Sequence, residues 1–469
     1  MLFSSYTYLL LFLPLAALGN AALQRLDRPR AAQVWLLLGS IVFYSYAGLS
    51  HLPLLLASIV FNWAVARGIG AQRDPRARKA LLWAGIVANL ALLGCFKYVN
   101  FFLNGILGLQ VALPNWQLPL GLSFFTLSQV MGLVDCYQEL SAPLSLLDHA
   151  SSVAFFPYVS SGPIVRASEI APQFMRFEGV ESRSLLAQRG IYFLVLGLAK
   201  KVILADAFGH AADIGYASVD HLSMLEGWAF SLAYTFEIYF DFSGYSDMAI
   251  GSALLLGVRI PQNFNGPFFA KSISEFWQRW HMSLTHFITN YLYTPILRSF
   301  GKATVRTSAL ATVLAMMIAG LWHGAAWTYI VWGTMHGVAL AINQLWRRSK
   351  RKLPRGLGWL LTFLFVNAAM VVFRSPDLPT AGRMFAAMLP HAHNLDWTVL
   401  ATAVPVGPGL IMQLCVPIVL VQLIQYRLGR LDLRLPWMPA LGRAVAYSLL
   451  LYCIVFHGAA PKAFVYFQF

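Results

Sequence analysis

The sequence predicts an all-α protein that crosses a membrane many times, and three observations support this prediction. Of the 469 residues, 58% are hydrophobic and only 11% are charged, whereas soluble domains contain about 25% charged residues. The mean hydropathy is +0.62. Apolar runs recur along the whole chain, and since a membrane helix needs about 20 residues, there is room for roughly a dozen spans. This composition excludes a soluble enzyme.

The positive charge indicates membrane orientation rather than nucleic-acid binding. The formal charge is +15, from 34 basic and 19 acidic residues, and on a soluble protein it would suggest a polyanionic partner. The basic residues instead lie in short loops between apolar runs, which is the positive-inside pattern of multispan proteins. These loops are 25–30, 67–79, 347–355 and 427–443. We therefore expect a lipid bilayer, and no nucleic acid, around this chain.

The apolar runs are predicted to form one membrane domain over 1–469. The first run, 8–23, is followed by its basic residues, the reverse of a signal peptide, so we expect a retained helix with its N-terminus outside the cytoplasm. Further spans are predicted at 31–49, 52–66, 80–103, 190–212, 222–242, 307–343 (interrupted at 320–324), 357–373, 407–425 and 444–459. The four cysteines lie inside apolar runs and are expected to be small core residues without disulfides: Cys95, Cys136, Cys415 and Cys453.

Two segments carry polar residues where a membrane helix would not. Pro, Gly, Asp and His residues interrupt 118–165, and broken backbone at membrane depth requires protein or a water-filled cavity around it, so this segment is predicted to be interior or re-entrant. Lys200, Lys201 and Asp206 fall within a predicted span. Because such charges are costly in lipid, they should face the interior or snorkel.

The segment 272–288 is predicted to be an amphipathic helix within an interfacial region, 259–290. Ser272 and Glu275 have the spacing of a capping box, and apolar residues including Trp277 and Trp280 then recur at helical spacing. His281 lies near the edge of that apolar face. Either it belongs to a simple interfacial helix, or it lines the entrance to a site.

His323 is the main candidate for chemistry, within the segment 307–343. It lies in Gly320 to Gly324 between two apolar runs, and an ionisable side chain at such depth indicates a functional site. A neutral imidazole can take a proton from a hydroxyl that attacks an acyl carbon. The alternative is a histidine bonded to a backbone carbonyl at a helix break. His336 is roughly 140° away around an ideal helix, so we expect a packed neighbour.

The segment 239–251 combines two carboxylates with hydroxyl groups. Asp241, Ser243, Tyr245 and Asp247 follow an apolar run and are interpreted either as a helix N-cap or as the lining of an internal path. No second cluster with ligand spacing accompanies them, so no metal site is predicted. The chain contains no Gly-x-Ser-x-Gly elbow and no phosphate-binding Gly-Lys loop, which excludes the hydrolase and ATPase classes that depend on them.

Several motifs together resemble the membrane-bound O-acyltransferase family over essentially the whole chain. They are Phe96 to Phe102, Leu118 to Phe125, Tyr239 to Gly251, Asn263 to Asn265, Ser274 to His281, Gly320 to Gly324 and the C-terminal Phe464 to Phe469. The resemblance is strongest to the branch that acetylates alginate-like exported polysaccharides. It implies a bundle of about eleven or more helices, with re-entrant and interfacial helices around a central tunnel, in a bacterial inner membrane.

The resemblance also implies residue roles. His323 matches the essential histidine of the family and His281 the supporting one. The acyl-CoA entrance would involve Trp277, Arg279, Trp280, Asn265, Tyr291 and Trp322. The donor would be acetyl-CoA as substrate, with no bound cofactor or metal. The expected partners are a periplasmic SGNH-type acetyltransferase and the exopolysaccharide machinery.

Three alternatives remain from the sequence. One is an acyltransferase that resembles the teichoic acid D-alanylation protein, whose donor is a carrier-protein thioester that could dock on the basic loops. Another is an enzyme of cellulose acetylation. The third is a glycan transporter or flippase without chemistry, with Lys200, Lys201, Asp206 and 118–165 along its path; the absence of a detectable internal repeat disfavours it.

Overall fold

A computed structural model describes most of the chain, and its regular elements are helical throughout the described part. The described residues are 1–46, 48–111, 117–175, 183–349, 353–390 and 395–403, with Leu423, Ser448, Leu451, Tyr452, Lys462, Phe464 and Val465. The predicted spans 407–425 and 444–459 lie almost wholly outside these residues, as do Cys415 and Cys453. The residues pack into two compact units, and the single domain stays a prediction.

The first unit comprises 1–194 and 246–261. Proline occupies the first turn of several of its helices, where its missing N–H costs nothing, and Asp74 caps one of them by accepting from the N–H groups of Arg76 and Ala77. The helices are α1 Leu13–Arg25, α2 Pro29–Ser45, α3 Leu52–Ala71, α4 Pro75–Lys97, α5 Leu122–Tyr137, α6 Leu146–Ala154, α7 Ala167–Met175 and most of α8 Arg183–Ala199.

The last part of the broken segment 118–165 is enclosed by protein, whereas residues 138–140 are exposed. The segment contains α5 and α6 and then a run of turns, and every residue from 151 to 165 is buried. The amide N–H of Phe156 in this run donates to Ser40 Oγ on α2. Irregular backbone is therefore enclosed by protein, as broken backbone at membrane depth requires.

The second unit comprises 195–245 and 262–469. A π-helical segment, Lys200–Ala205, leads into its first complete helix. The helices are α9 Asp206–Ala217, α10 Met224–Leu255 (whose residues 246–255 belong to the first unit), α11 Ile273–Trp277, α12 Met282–Phe287, α13 Thr294–Ser299, α14 Val305–His323, α15 Trp327–Arg348, α16 Arg355–Arg374, α17 Leu378–Ala387 and α18 Thr398–Ala403.

Five stretches in the described residues are long and apolar enough to cross a membrane by length and composition. They are Thr7–Arg25, Leu49–Ala71, Pro75–Lys97, Val305–His323 and Arg355–Arg374. Each coincides with an apolar run predicted as a span. The larger number of spans, eleven or more, and the central tunnel stay predictions.

A helical hairpin of α14 and α15 positions His323, and its close packing depends on glycine. A Cβ on Gly333 would collide with the Met316 carbonyl oxygen and lie 2.9 Å from Gly320 Cα. A Cβ on Gly337 would lie 2.7 Å from Val313 Cα. Small residues let two helices approach this closely. The break predicted at 320–324 is confirmed, since α14 ends at His323 and Gly324 is extended.

Two local predictions are wrong. The segment 272–288 is not one amphipathic helix, because the backbone of His281 is left-handed (φ 43°) and separates α11 from α12. Ser272 does cap α11, accepting from the Glu275 N–H, but the Glu275 carboxylate accepts from the Lys271 N–H instead of completing the box. Asp241, Ser243, Tyr245 and Asp247 are not an N-cap, because all four lie inside α10.

Candidate active site

His323 is the last residue of α14 and is enclosed by aromatic rings. Its side chain is 4% exposed, and its ring centroid lies 4.9 Å from that of Trp322, 5.0 Å from Trp332 and 5.4 Å from Phe373. Gly324 follows without a side chain because the Tyr329 ring occupies the space that a Cβ would need. The imidazole is therefore buried among rings at the turn of the hairpin.

His336 is a packed neighbour, as predicted, and belongs to the same ring cluster as His323. Its Nδ1 accepts a hydrogen bond of 3.2 Å from the Trp277 indole N–H, and its ring lies 4.8 Å from that of Trp332, which in turn contacts His323. A neutral imidazole has one donor and one acceptor nitrogen. Because Nδ1 accepts, the proton of neutral His336 is on Nε2.

His281 is fixed by hydrogen bonds rather than by rings alone. Its Nδ1 lies 3.1 Å from Asn263 Oδ1, and the same oxygen accepts from the backbone N–H (3.1 Å) and the hydroxyl (2.9 Å) of Ser283. The backbone donor identifies this atom as the amide oxygen, so His281 Nδ1 must donate to it. Nε2 then carries a lone pair, and it has no hydrogen-bond partner within the described part of the chain.

The backbone conformation of His281 also helps to fix the position of its side chain. Its left-handed conformation is uncommon outside glycine, although histidine is among the residues that tolerate it. The Phe242 ring from α10 packs edge-on against the imidazole at 4.6 Å. His281 is completely buried.

The six residues predicted at an acyl-CoA entrance fall into separate places. Trp277 and Trp322 lie in the ring cluster around His336 and His323. Trp280 is buried against Phe264 and Phe276 instead of forming a surface stripe. The remaining three are partly exposed: Arg279 pairs with Glu275 at 3.0 Å and donates to the Asn265 carbonyl, and Tyr291 stacks on Phe287.

The carboxylate of Asp241 belongs to a buried ionic cluster. Lys201 Nζ lies 2.8 Å from both Asp206 Oδ1 and Asp241 Oδ1, and Asp241 Oδ2 accepts from the Val465 N–H at 2.7 Å. Lys200, Lys201 and Asp206 therefore face the interior, as predicted. Ser243 is buried, Tyr245 stacks on Phe464 at 4.4 Å, and Asp247 is half-buried.

Sequence reasoning misses several residues of these clusters. Asn263 stands out in the sequence only as part of a motif, and Trp332 does not stand out at all. The pairing of Glu237 with Lys462 at 3.2 Å is missed as well. Asn263 is 18 residues from His281 and Glu237 is 225 residues from Lys462, so no local spacing indicates these two contacts.

The fold and this site define a class: a helical membrane protein with buried histidines at the turn of a helical hairpin and at a strained helix start. The sequence matches the membrane-bound O-acyltransferase family, MBOAT, over residues 7–375. The chain belongs to this family and is an O-acyltransferase. Membership favours the enzyme class over the transporter alternative.

Individual relatives within the family carry the names of different acyltransferases. A peptidoglycan O-acetyltransferase of Helicobacter pylori is 39% identical over 423 residues, covering 83% of this chain and 80% of the relative. A protein described as probable alginate O-acetylase, from Azotobacter vinelandii, is 38% identical, covering 85% and 79%. A teichoic acid D-alanyltransferase of Streptococcus thermophilus is 27% identical, covering 54% and 68%.

Proposed function

We propose that this enzyme takes acetyl from cytoplasmic acetyl-CoA and passes it across the bacterial inner membrane for O-acetylation of an exported polysaccharide. The observation that carries the proposal is the enclosed His323 at the hairpin turn of a chain that matches an O-acyltransferase family. General-base catalysis needs a nitrogen that is held in position and can accept a proton near neutral pH. An imidazole packed among aromatic rings is held in position and is shielded from water.

In this mechanism a His323 nitrogen takes the proton of an acceptor hydroxyl while the hydroxyl oxygen attacks the thioester carbonyl carbon. A tetrahedral intermediate forms with negative charge on the former carbonyl oxygen. The C–S bond then breaks as the C=O bond re-forms, and the CoA thiolate receives the proton from the His323 imidazolium. The products are an ester and free CoA, and the step as written needs no metal or bound cofactor.

His281 has a supporting role in this proposal. Its Nδ1 is committed to Asn263 Oδ1, so the Nε2 lone pair can accept a hydrogen bond that orients a reacting group. The fixed tautomer is the feature that makes this role specific. Arg279, partly exposed beside Asn265, and the basic loops would attract the anionic acyl-CoA at the cytoplasmic face.

The class of acceptor that we propose follows from the names of the relatives. Those named for alginate and for peptidoglycan are about equally similar to this chain, and both polymers offer sugar hydroxyl groups outside the cytoplasm. We propose an exported glycan as the final acceptor, reached with a periplasmic SGNH-type partner and the exopolysaccharide machinery. The N-terminus would be periplasmic, as the position of Arg25, Arg28 and Arg30 indicates.

A second candidate is D-alanyl transfer from a carrier-protein thioester. The relative named for teichoic acid D-alanylation favours it, but that match covers 54% of this chain. The basic loops would suit an acidic carrier equally well. The two candidates differ in donor and not in the role proposed for His323.

The experiment uses the purified full-length protein in proteoliposomes with two labelled donors. We expect release of CoA and transfer of label from acetyl-CoA in proportion to protein, with alginate and peptidoglycan fragments as alternative acceptors. Transfer from a D-alanyl carrier, with none from acetyl-CoA, would select the second candidate. No transfer from either donor in the presence of a periplasmic partner would overturn the proposal.

A further inference from the structure

Two buried N–H groups in the ring cluster that contains His323 have no hydrogen-bond acceptor within the described residues. They are the Trp332 indole N–H, in a side chain that is 2% exposed, and the Nε2–H of His336, in a side chain that is 0% exposed. The proton of His336 lies on Nε2 because its Nδ1 accepts from Trp277. A buried donor without an acceptor is costly in a membrane protein, and such an exception calls for an explanation, of which a catalytic role is one kind.

The two donors belong to one place in the hairpin. Trp332 and His336 are four residues apart on α15, so they lie on the same face of this helix. Their rings are 4.8 Å apart, and the Trp332 ring is 5.0 Å from His323. Trp277 fixes the His336 ring from the opposite nitrogen, so the direction of Nε2–H is set before any ligand binds.

The chemistry of acyl transfer indicates which ligand group two such donors would hold. An acceptor hydroxyl has to give its proton to a base, which an N–H group cannot be. The carbonyl oxygen of a thioester, in contrast, has two lone pairs and becomes negatively charged when the hydroxyl oxygen attacks. Fixed N–H donors in a water-poor site stabilise such a developing charge more than the neutral carbonyl.

We propose that Trp332 Nε1–H and His336 Nε2–H donate to the carbonyl oxygen of the acyl group and stabilise the oxyanion of the tetrahedral intermediate. This inference rests on the proposed function and adds two residues to it. The donors exchange no proton with the substrate. The negative charge that they stabilise disappears when the C–S bond breaks.

Variants at the two positions separate donation to substrate from support of Trp277. Trp332→Phe removes only the N–H of a ring. His336→Asn keeps an acceptor near the position of Nδ1 and removes Nε2–H, whereas His336→Gln places an amide near Nε2 and removes the acceptor for Trp277.

We expect kcat to fall about 100-fold in Trp332→Phe and His336→Asn, since loss of one oxyanion donor costs 10² to 10³. His336→Gln should retain more activity than His336→Asn, with little change in KM for acetyl-CoA.

The control is Trp63→Phe, because the Trp63 indole donates to the Leu144 carbonyl in the other unit. It should leave kcat unchanged. A second readout is the infrared stretch of ¹³C=O-labelled acetyl-CoA bound to the protein, which a hydrogen bond lowers. The band should move back towards its free frequency in Trp332→Phe.

The outcomes distinguish the two proposals. If wild-type protein transfers acetyl but Trp332→Phe and His336→Asn stay within twofold of it, the oxyanion role is wrong while the acetyltransferase function stands. The oxyanion role is also wrong if His336→Asn is more active than His336→Gln, because support of Trp277 then explains the effect. If wild-type protein transfers no acetyl and shifts no carbonyl band, the function and the inference fail together.

Discussion

His281 and His323, both in the second unit, are held by different sets of contacts. His281 is fixed by a hydrogen bond to Asn263, through an oxygen that Ser283 also shares, and by a left-handed backbone. His323 is held by the aromatic rings around it and by a hairpin whose glycines allow close contact. The hydrogen bond to Asn263 specifies the tautomer of His281, and close contacts with three aromatic rings surround His323.

The difference matches the roles proposed for them. A supporting group needs one defined lone pair, and the Asn263 acceptor provides it. A base that gains and then releases a proton needs a fixed position and a site that excludes water, which rings and close helix packing supply. Substitutions that disturb hydrogen bonds should therefore affect His281 most, and substitutions that disturb packing should affect His323 most.

The largest loss of stability is expected from Asn263→Ala. It leaves three buried donors without their acceptor, namely His281 Nδ1–H and the two groups of Ser283. Each unsatisfied buried donor costs about 1–3 kcal/mol, so we expect a loss of about 3 kcal/mol or more in thermal unfolding in detergent. Ser283→Ala is the matched control and should cost about 1 kcal/mol. Equal losses in the two variants would contradict the proposed importance of Asn263.

Gly333→Ala tests the packing side of the comparison. The new Cβ would collide with the Met316 carbonyl, so α14 and α15 must separate and His323 must shift. Overpacking costs about 1–3 kcal/mol, and a displacement of about 1 Å reduces catalysis by about 10². Gly382→Ala is the control, since no atom lies within 4 Å of its Cβ. A Gly333→Ala enzyme with wild-type kcat would show that the close hairpin is unnecessary.

Phe373→Leu should have a smaller effect. It removes ring contacts with His323, Trp332 and Tyr329, each worth about 0.5–1.5 kcal/mol. We expect a loss of about 1–2 kcal/mol and a clear decrease of kcat in steady-state assays. Phe43→Leu, in a ring cluster of the first unit, should lose similar stability but keep its kcat. If both variants lose kcat equally, the ring contact with His323 has no special role.

The smallest expected change in stability is that of Arg279→Ala. Its pair with Glu275 is partly exposed and such pairs contribute less than about 1 kcal/mol. If Arg279 binds acyl-CoA, KM for acetyl-CoA should rise while kcat stays constant, since uniform binding is lost. Arg78→Ala, which breaks a pair with Glu139 in the first unit, should leave KM unchanged. An unchanged KM in Arg279→Ala would remove Arg279 from the proposed entrance.

The sequence predicts features that depend on local pattern. The Gly320 to Gly324 break follows from glycines flanking a histidine between apolar runs, and the enclosure of 151–165 agrees with the polar residues there, which lipid would not tolerate. The N-cap interpretation of Asp241 is wrong because α10 continues through this residue. Its partners are not predicted because they are distant in the chain: Lys201 is forty residues earlier and Val465 is near the C-terminus. Helical periodicity likewise continues through His281, since a single left-handed residue leaves no trace in the spacing of apolar residues.

The most direct test of His323 as the base is a single-turnover assay that measures the rate of the chemical step with labelled acetyl-CoA. The assay compares wild type with purified His323→Ala, His281→Ala and His221→Ala. His221 is exposed and serves as the control. We expect that His323→Ala binds acetyl-CoA and transfers essentially none of it, that His281→Ala transfers slowly, and that His221→Ala matches wild type. Transfer by His323→Ala at the wild-type rate would contradict the assignment of His323 as the base.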